Sequence, residues 1–148
     1  MTSPREHGMS LIVRTVTRLT VGLILLYGIY IVLHGHVSPG GGFAGGVIIA
    51  LSFVHLMLAF GRETAMQALS ESRGALVESL GATLFLGIAL LGFVGGHFFV
   101  NFLGQGEPFT LFSAGAIPLS NISIALKVGG GLFAAAVALV LMRLEPEK

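Results

Sequence analysis

The stretch HGHVSPGGGFAGGVIIALSF, His34 to Phe53, decides how this chain folds. Taken literally, Gly40, Gly42 and Gly45 satisfy G-x-G-x-x-G, the glycine pattern of a dinucleotide-binding turn. That turn needs a strand before it and a helix after it, inside a βαβ unit. Here an uncharged apolar run, Leu19–Leu33, leads in, and a second apolar run leads out from Phe43. No Lys follows the glycines, so the stretch is not a phosphate-cradling loop either. It reads instead as a sharp re-entry between two membrane helices. Pro39 forbids a continuous helix, and Gly40, Gly41 and Gly42 allow backbone angles closed to other residues. The pairs Gly42/Gly46 and Gly41/Gly45 have the small-xxx-small spacing that lets another helix approach closely. A plain tight turn would use the same Pro and Gly.

The rest of the chain supports the membrane reading. Of its 148 residues 54% are apolar and 10% charged, against roughly a quarter charged in ordinary globular chains. A bilayer is the solvent in which that composition is reasonable. About 20 apolar residues cross the hydrocarbon, and four such runs predict helices at approximately 11–33, 43–61, 78–103 and 120–142, within one four-helix membrane domain covering 1–148. Backbone facing lipid must be hydrogen-bonded within its own segment, and the runs lack the alternation of barrel strands. The predicted class is therefore an all-α integral membrane protein. The basic N-terminus resembles a signal peptide, but no small-x-small cleavage site follows Leu33, so the first run is expected to be retained.

Orientation follows from Lys and Arg. Arg5, Arg14 and Arg18 lie before or in the first turns of helix one, Arg14 and Arg18 snorkelling toward one face. Arg62 and Arg73 lie in the second connection, and Arg143 and Lys148 follow the last helix. The connections at roughly 34–42 and 104–119 contain neither residue. The positive-inside rule places both termini in the cytoplasm.

Composition also excludes classes of function. With no Cys there is no disulfide, thiolate metal site or cysteine nucleophile. A formal charge of +1 without a basic cluster gives no nucleic-acid signal. His34 and His36, two apart with no Asp nearby, make a poor metal site; they suit an interface or loop carbonyls, with proton relay as a lesser alternative. His55 is read as a packing residue or a member of a proton path. Glu78 is placed at the start of helix three, where a carboxylate suits the helix dipole. Asn101 reads as an end-of-helix polar group, and Gly92/Gly96 as a packing pair.

Lys127 is the sharpest signal. A helix starting near Ser120 puts it about 10 Å into the membrane. Ser120, Ser123, Lys127 and Gly130 or Gly131 then share one face, which reads as a contact surface or the wall of a wet cavity. The chain has no Asp, and none of its seven Glu falls deep in a predicted span. A complete cation carrier normally needs such an acid. The chain is therefore expected to serve ion transport as one subunit among others, and Lys127 to meet a carboxylate of a neighbour or line a hydrated cavity.

HGHVSPGGGFAGG and SAGAIPLSNISIALKVGGGL, Ser113–Leu132, resemble the two signature regions of the B subunit of Mrp-type multisubunit Na⁺/H⁺ antiporters, the MnhB family. The positions that match are His34, Gly35, Pro39, Gly40, Gly41, Gly42, Phe43, Gly46, Pro118, Asn121 and Lys127. The resemblance implies a small accessory subunit, without cofactor, in an assembly that exchanges cytoplasmic Na⁺ for external H⁺. Similar subunits occur in the sodium-translocating modules of membrane-bound hydrogenases, and this sequence does not separate the two settings. A freestanding transporter or membrane enzyme is the third possibility. The missing midplane acid and the absence of a nucleophile–base constellation count against it.

Overall fold

A computed structural model describes residues 9–104, 106–107, 110 and 113–144. The charges of Arg5, Glu6, Glu145, Glu147 and Lys148 lie outside the described residues. The elements are α1 (Leu11–Leu33), α2 (Gly41–Phe60), α3 (Arg62–Ala68), α4 (Glu71–Leu91), a 3₁₀ turn (Gly92–Gly95) and α5 (Ile117–Leu144). Four helical segments are long and apolar enough to cross a membrane: α1, α2, α4 with its 3₁₀ turn, and α5. No strand occurs among the described residues.

The helices stand in a row, α1 beside α2, α2 beside α5, and α5 beside α4. Glycines set the spacing. Gly45 of α2 faces Val32 and the Gly28 carbonyl of α1. Gly42 and Gly46, on another side of α2, face Asn121 and Ala125 of α5, so α2 and α5 run in the same direction. Gly74 and Gly81 of α4 face Phe133 and the Ser123–Lys127 turn of α5, which makes α4 antiparallel to it. Gly42 and Gly46 thus point at α5, Gly45 points at α1, and Gly41 at the mouth faces Asn121 and the Gly35 carbonyl, so α2 lies between its two neighbours.

The termini of the helices have local causes. Ser70 caps α4, its hydroxyl accepting from the Arg73 N–H at 3.4 Å. Pro118 sits in the first turn of α5, where its missing N–H costs nothing. The glycine stretch starts α2 at Gly41, two residues before the expected 43. The largest departure is in the third span, expected at 78–103. It begins at Glu71, leaves α-geometry after Leu91, and turns at Gly96 with φ 106°. A left-handed glycine ends a helix, and the apolar 97–103 segment folds back, its Phe99 N–H reaching the Ala89 carbonyl at 3.2 Å. Phe99 then packs against Phe85, ring centroids 5.2 Å apart. Gly92 and Gly96 are therefore parts of a reversal, not a helix-packing pair. The second connection forms the short helix α3, and Met66 and Leu69 pack on a core of Met57, Phe133 and Val137.

Arg14 and Arg18 of α1 lie over the Phe60 ring, at 5.9 and 5.4 Å from its centroid. Phe60 is the last residue of α2, so both guanidiniums also meet the negative end of that helix. Leu11, Ile12, Leu19, Leu23 and Leu26 leave the row exposed along α1, as a lipid-facing helix requires.

Candidate functional site

The residues singled out from the sequence fall into three places. At the glycine turn, His34 stacks on Tyr30 at 4.1 Å and donates from Nδ1 to the Tyr30 carbonyl at 3.0 Å. His36 donates from Nε2 to the Thr110 carbonyl at 3.0 Å, tying the turn to the connection before α5. Pro39 and Gly40 are exposed at the tip. Behind them Asn121, 9% exposed, accepts the Gly42 N–H at 3.2 Å. A Cβ on Gly42 would run into the Asn121 backbone, and one on Gly46 would lie 2.9 Å from the Ala125 carbonyl. Gly35, Gly41, Gly42 and Asn121 therefore form one closed contact. Asn121 Nδ2 and His36 Nδ1 are buried with no hydrogen-bond partner among the described residues.

The second place is Lys127. Its Nζ lies 3.8 Å from Glu78 Oε1. This corrects the expectation that no acid of the chain reaches that depth. α4 starts at Glu71, not at Glu78, which carries Glu78 about 10 Å along the span. The cause is local: Ser70 and Glu71 supply the cap and the first-turn charge that Glu78 was expected to supply. Lys127 lies ten residues into Ile117–Val140, near its middle. Leaving a single Lys there in hydrocarbon costs on the order of 3 kcal/mol on insertion scales. α4 of the same chain packs on part of the polar stripe around Lys127, and the rest of the stripe borders a cleft. Ser123 and Gly130 are buried, with Gly74 and Gly81 packed on them. A Cβ on Gly131 would sit 3.3 Å from Glu78 Oε1 and 3.5 Å from Oε2, so the carboxylate lies across a glycine notch.

The pair is nevertheless open. The Lys127 side chain is 55% exposed and that of Glu78 39%. They border a cleft of about 220 Å³ with Phe43, Val128, Gly131 and Leu132. Phe43, 63% exposed at the start of α2, overhangs it.

His55 is the third place. Its Nε2 lies 3.2 Å from Thr20 Oγ1, which is also 3.0 Å from the Val16 carbonyl. When the hydroxyl donates to that carbonyl, Nε2 carries the proton and donates to Thr20. His55 joins neither of the other two places. The sequence reading missed Asn101: its Nδ2 donates to the Ala114 carbonyl at 3.1 Å and its Oδ1 accepts the Ala116 N–H at 2.8 Å. It is a clamp that sets the start of α5, not an ordinary end-of-helix group. Nothing in a linear stretch of sequence marks a contact made across a reversed chain.

A helical row crossing the bilayer four times, with one charged pair open on its flank, defines a multi-pass protein of the cell membrane. The particular family is then clear. Residues 12–142 match a domain described as related to the MnhB subunit of Na⁺/H⁺ antiporters, and the chain belongs to that family. It is 39% identical over 135 residues to an uncharacterized protein of Methanocaldococcus jannaschii, covering 85% of this chain and 50% of that one. It is 34% identical over 133 residues to a Staphylococcus aureus protein that carries the provisional name antiporter subunit mnhB2, covering 81% of this chain and 94% of that one. The chain thus spans half of the archaeal relative and nearly all of the staphylococcal one. Among solved structures, it is similar to a chain of the membrane-bound sulfane sulfur reductase, an archaeal respiratory membrane complex. The TM-score is 0.75 with 32% identity, over 95% of this chain and 60% of that one.

Proposed function

We propose that the chain is an accessory membrane subunit of a multisubunit Na⁺/H⁺ antiporter. The observation that carries this is the match along nearly the whole of a staphylococcal protein named for that role. The site supports it. Among the described residues Glu78 is the one acidic side chain away from the ends of a span, and it is paired to Lys127. One such pair is too little for a complete carrier and suits a subunit that completes a path or a contact with others. In this reading the chain serves transport and not catalysis, and His34 and His36 each use a ring nitrogen on a backbone carbonyl. Its partners are other membrane subunits of an Mrp-type complex and lipid, with Na⁺ and H⁺ as the ions the complex moves and no nucleic acid. Lys127 and Phe43 contribute to a subunit contact or ion path. The turn residues His34, His36, Pro39, Gly40, Gly41, Gly42, Gly46, Pro118 and Asn121 hold the helix entry, and His55 holds α2 to α1.

Both helix-bearing termini face the cytoplasm in this reading. A single Cys at Ser72 is then protected from an impermeant maleimide added outside, while one at Gly104 is labelled; the reverse pattern inverts the topology. A second reading, the equivalent subunit of a redox-driven respiratory complex, is favoured by the solved structure to which the chain is similar. Mild-detergent purification through a tag on this chain separates the readings. Large antiporter-like subunits alone support the first, accompanying electron-transfer subunits support the second, and a chain recovered alone refutes both.

A further inference from the structure

We infer that the Glu78–Lys127 edge of α4 and α5 is a polar docking surface for a transmembrane helix of a different subunit, one that carries hydrogen-bonding side chains at mid-membrane depth. The inference rests on the reading of the chain as a subunit of a membrane complex and names what this face of it meets.

The first argument is depth. Lys127 is near the middle of Ile117–Val140, and its stem is shorter than the half-thickness of the hydrocarbon, about 15 Å. Snorkelling along that stem relieves only part of the cost of the buried charge. The second is exposure: pairing within the chain leaves more than half of the Lys127 side chain and over a third of the Glu78 side chain open. The third is a count of bonding capacity. Lys127 has three N–H donors and the carboxylate two acceptor oxygens. Their separation of 3.8 Å is an ionic contact beyond hydrogen-bond length. Neither group makes a hydrogen bond with the other described residues, so donors and acceptors both remain on offer. A covering helix must accept from Lys127 and donate to Glu78, which hydroxyl, amide or imidazole side chains do and lipid tails do not.

The glycines fix this presentation. Gly130 and Gly131 let Glu78 lie against the α5 backbone, which holds the carboxylate at the open edge beside Lys127. The opposite side of α5 shows the contrast. There Val32, Ile49, Phe53, Ala125, Leu126 and Gly129 line a hollow of about 360 Å³ bounded by apolar side chains. The charged flank is bounded by Glu78 and Lys127 instead.

The absence of Cys makes the test direct. Leu132 borders the cleft and is 43% exposed; Leu23 on α1, 66% exposed, is the control. Each is changed singly to Cys in the intact complex in its membrane and loaded with benzophenone maleimide. On illumination Leu132→Cys is expected to capture a second polypeptide that is not this chain. Two double variants then probe polarity. Glu78→Gln with Lys127→Met removes both charges, and is expected to lower co-purification several-fold with the membrane level of this chain unchanged. Glu78→Lys with Lys127→Glu keeps the pair within the chain but reverses what it shows outward, and is expected to lose the partner as well. The inference is overturned by capture of lipid alone or of a second copy, by labelling of Leu132→Cys with an impermeant maleimide, which means a water-filled cleft, or by full association of either double variant. If the unmodified chain brings down no other subunit, the complex-subunit reading itself has failed, which is a different result.

Discussion

Asn121 and Lys127 stand six residues apart on α5 and do opposite things. Asn121 is buried, neutral and closed: it takes the Gly42 N–H, and the glycines of the turn bring backbone against its backbone. Lys127 is charged and open, held to Glu78 at ionic distance and bordering a cleft. In hydrocarbon there is little apolar driving force between helices, so close backbone approach and small hydrogen bonds supply the packing. The neutral contact uses those means to fix the row α2–α5. The charged contact adds little to that row and leaves unmet polar capacity facing outward, which is of use only to something that comes to cover it. One helix thus carries a closed contact within the chain and, on another face, the open pair proposed as an assembly contact.

That division can be broken by substitution, and the largest effect is expected at the closed contact. Gly42→Leu places a side chain in the Asn121 backbone and should cost on the order of 3 kcal/mol or more. It is checked by thermal unfolding of the purified chain in detergent, and an unchanged midpoint would refute the closed-contact reading. Asn101→Ala should come next, at about 2 kcal/mol for two lost hydrogen bonds at the start of α5. The same melting experiment reads it, and proteolysis within 113–116 should accelerate.

The open contact should behave differently. Lys127→Ala strands the Glu78 carboxylate and should reduce complex yield and Na⁺-driven proton exchange several-fold, with little change in the melting of the isolated chain. Adding Glu78→Gln should leave that melting unchanged and the complex yield still reduced, because the half-exposed pair adds little to the isolated chain. Lys127→Arg keeps the charge and should retain more function than Ala. Normal exchange by the Ala variant at unchanged complex level would make Lys127 a lipid-facing anchor. The smallest effect is expected at Thr20→Val, about 0.6 kcal/mol, the average for one hydrogen bond between membrane helices. It removes the oxygen that His55 meets, and a larger loss, confined to ion exchange, would promote His55 from packing to proton transfer.

The sequence alone determined that the chain divides into four membrane-crossing runs, and that the runs are helices. Both follow from local sums: twenty apolar residues partition into lipid as a unit, and backbone in lipid must bond to itself. It also singled out the glycine turn and Lys127, because Pro and glycine clusters and a lone charge are anomalies visible within one segment. The tertiary structure decided what those anomalies touch. That Gly42 meets Asn121 depends on α5 lying parallel to α2 across 79 residues of chain. That the third span reverses at Gly96 goes with Phe99 finding Phe85 and Ala89 after a left-handed glycine. That Lys127 has a partner in its own chain depends on Ser70 starting α4 seven residues before Glu78, and on Gly130 and Gly131 leaving room for the carboxylate beside α5. Apolarity has no direction along or around a helix, so it fixes which segments enter the membrane. Which faces meet is fixed by shape, and shape is set by residues far apart in the chain.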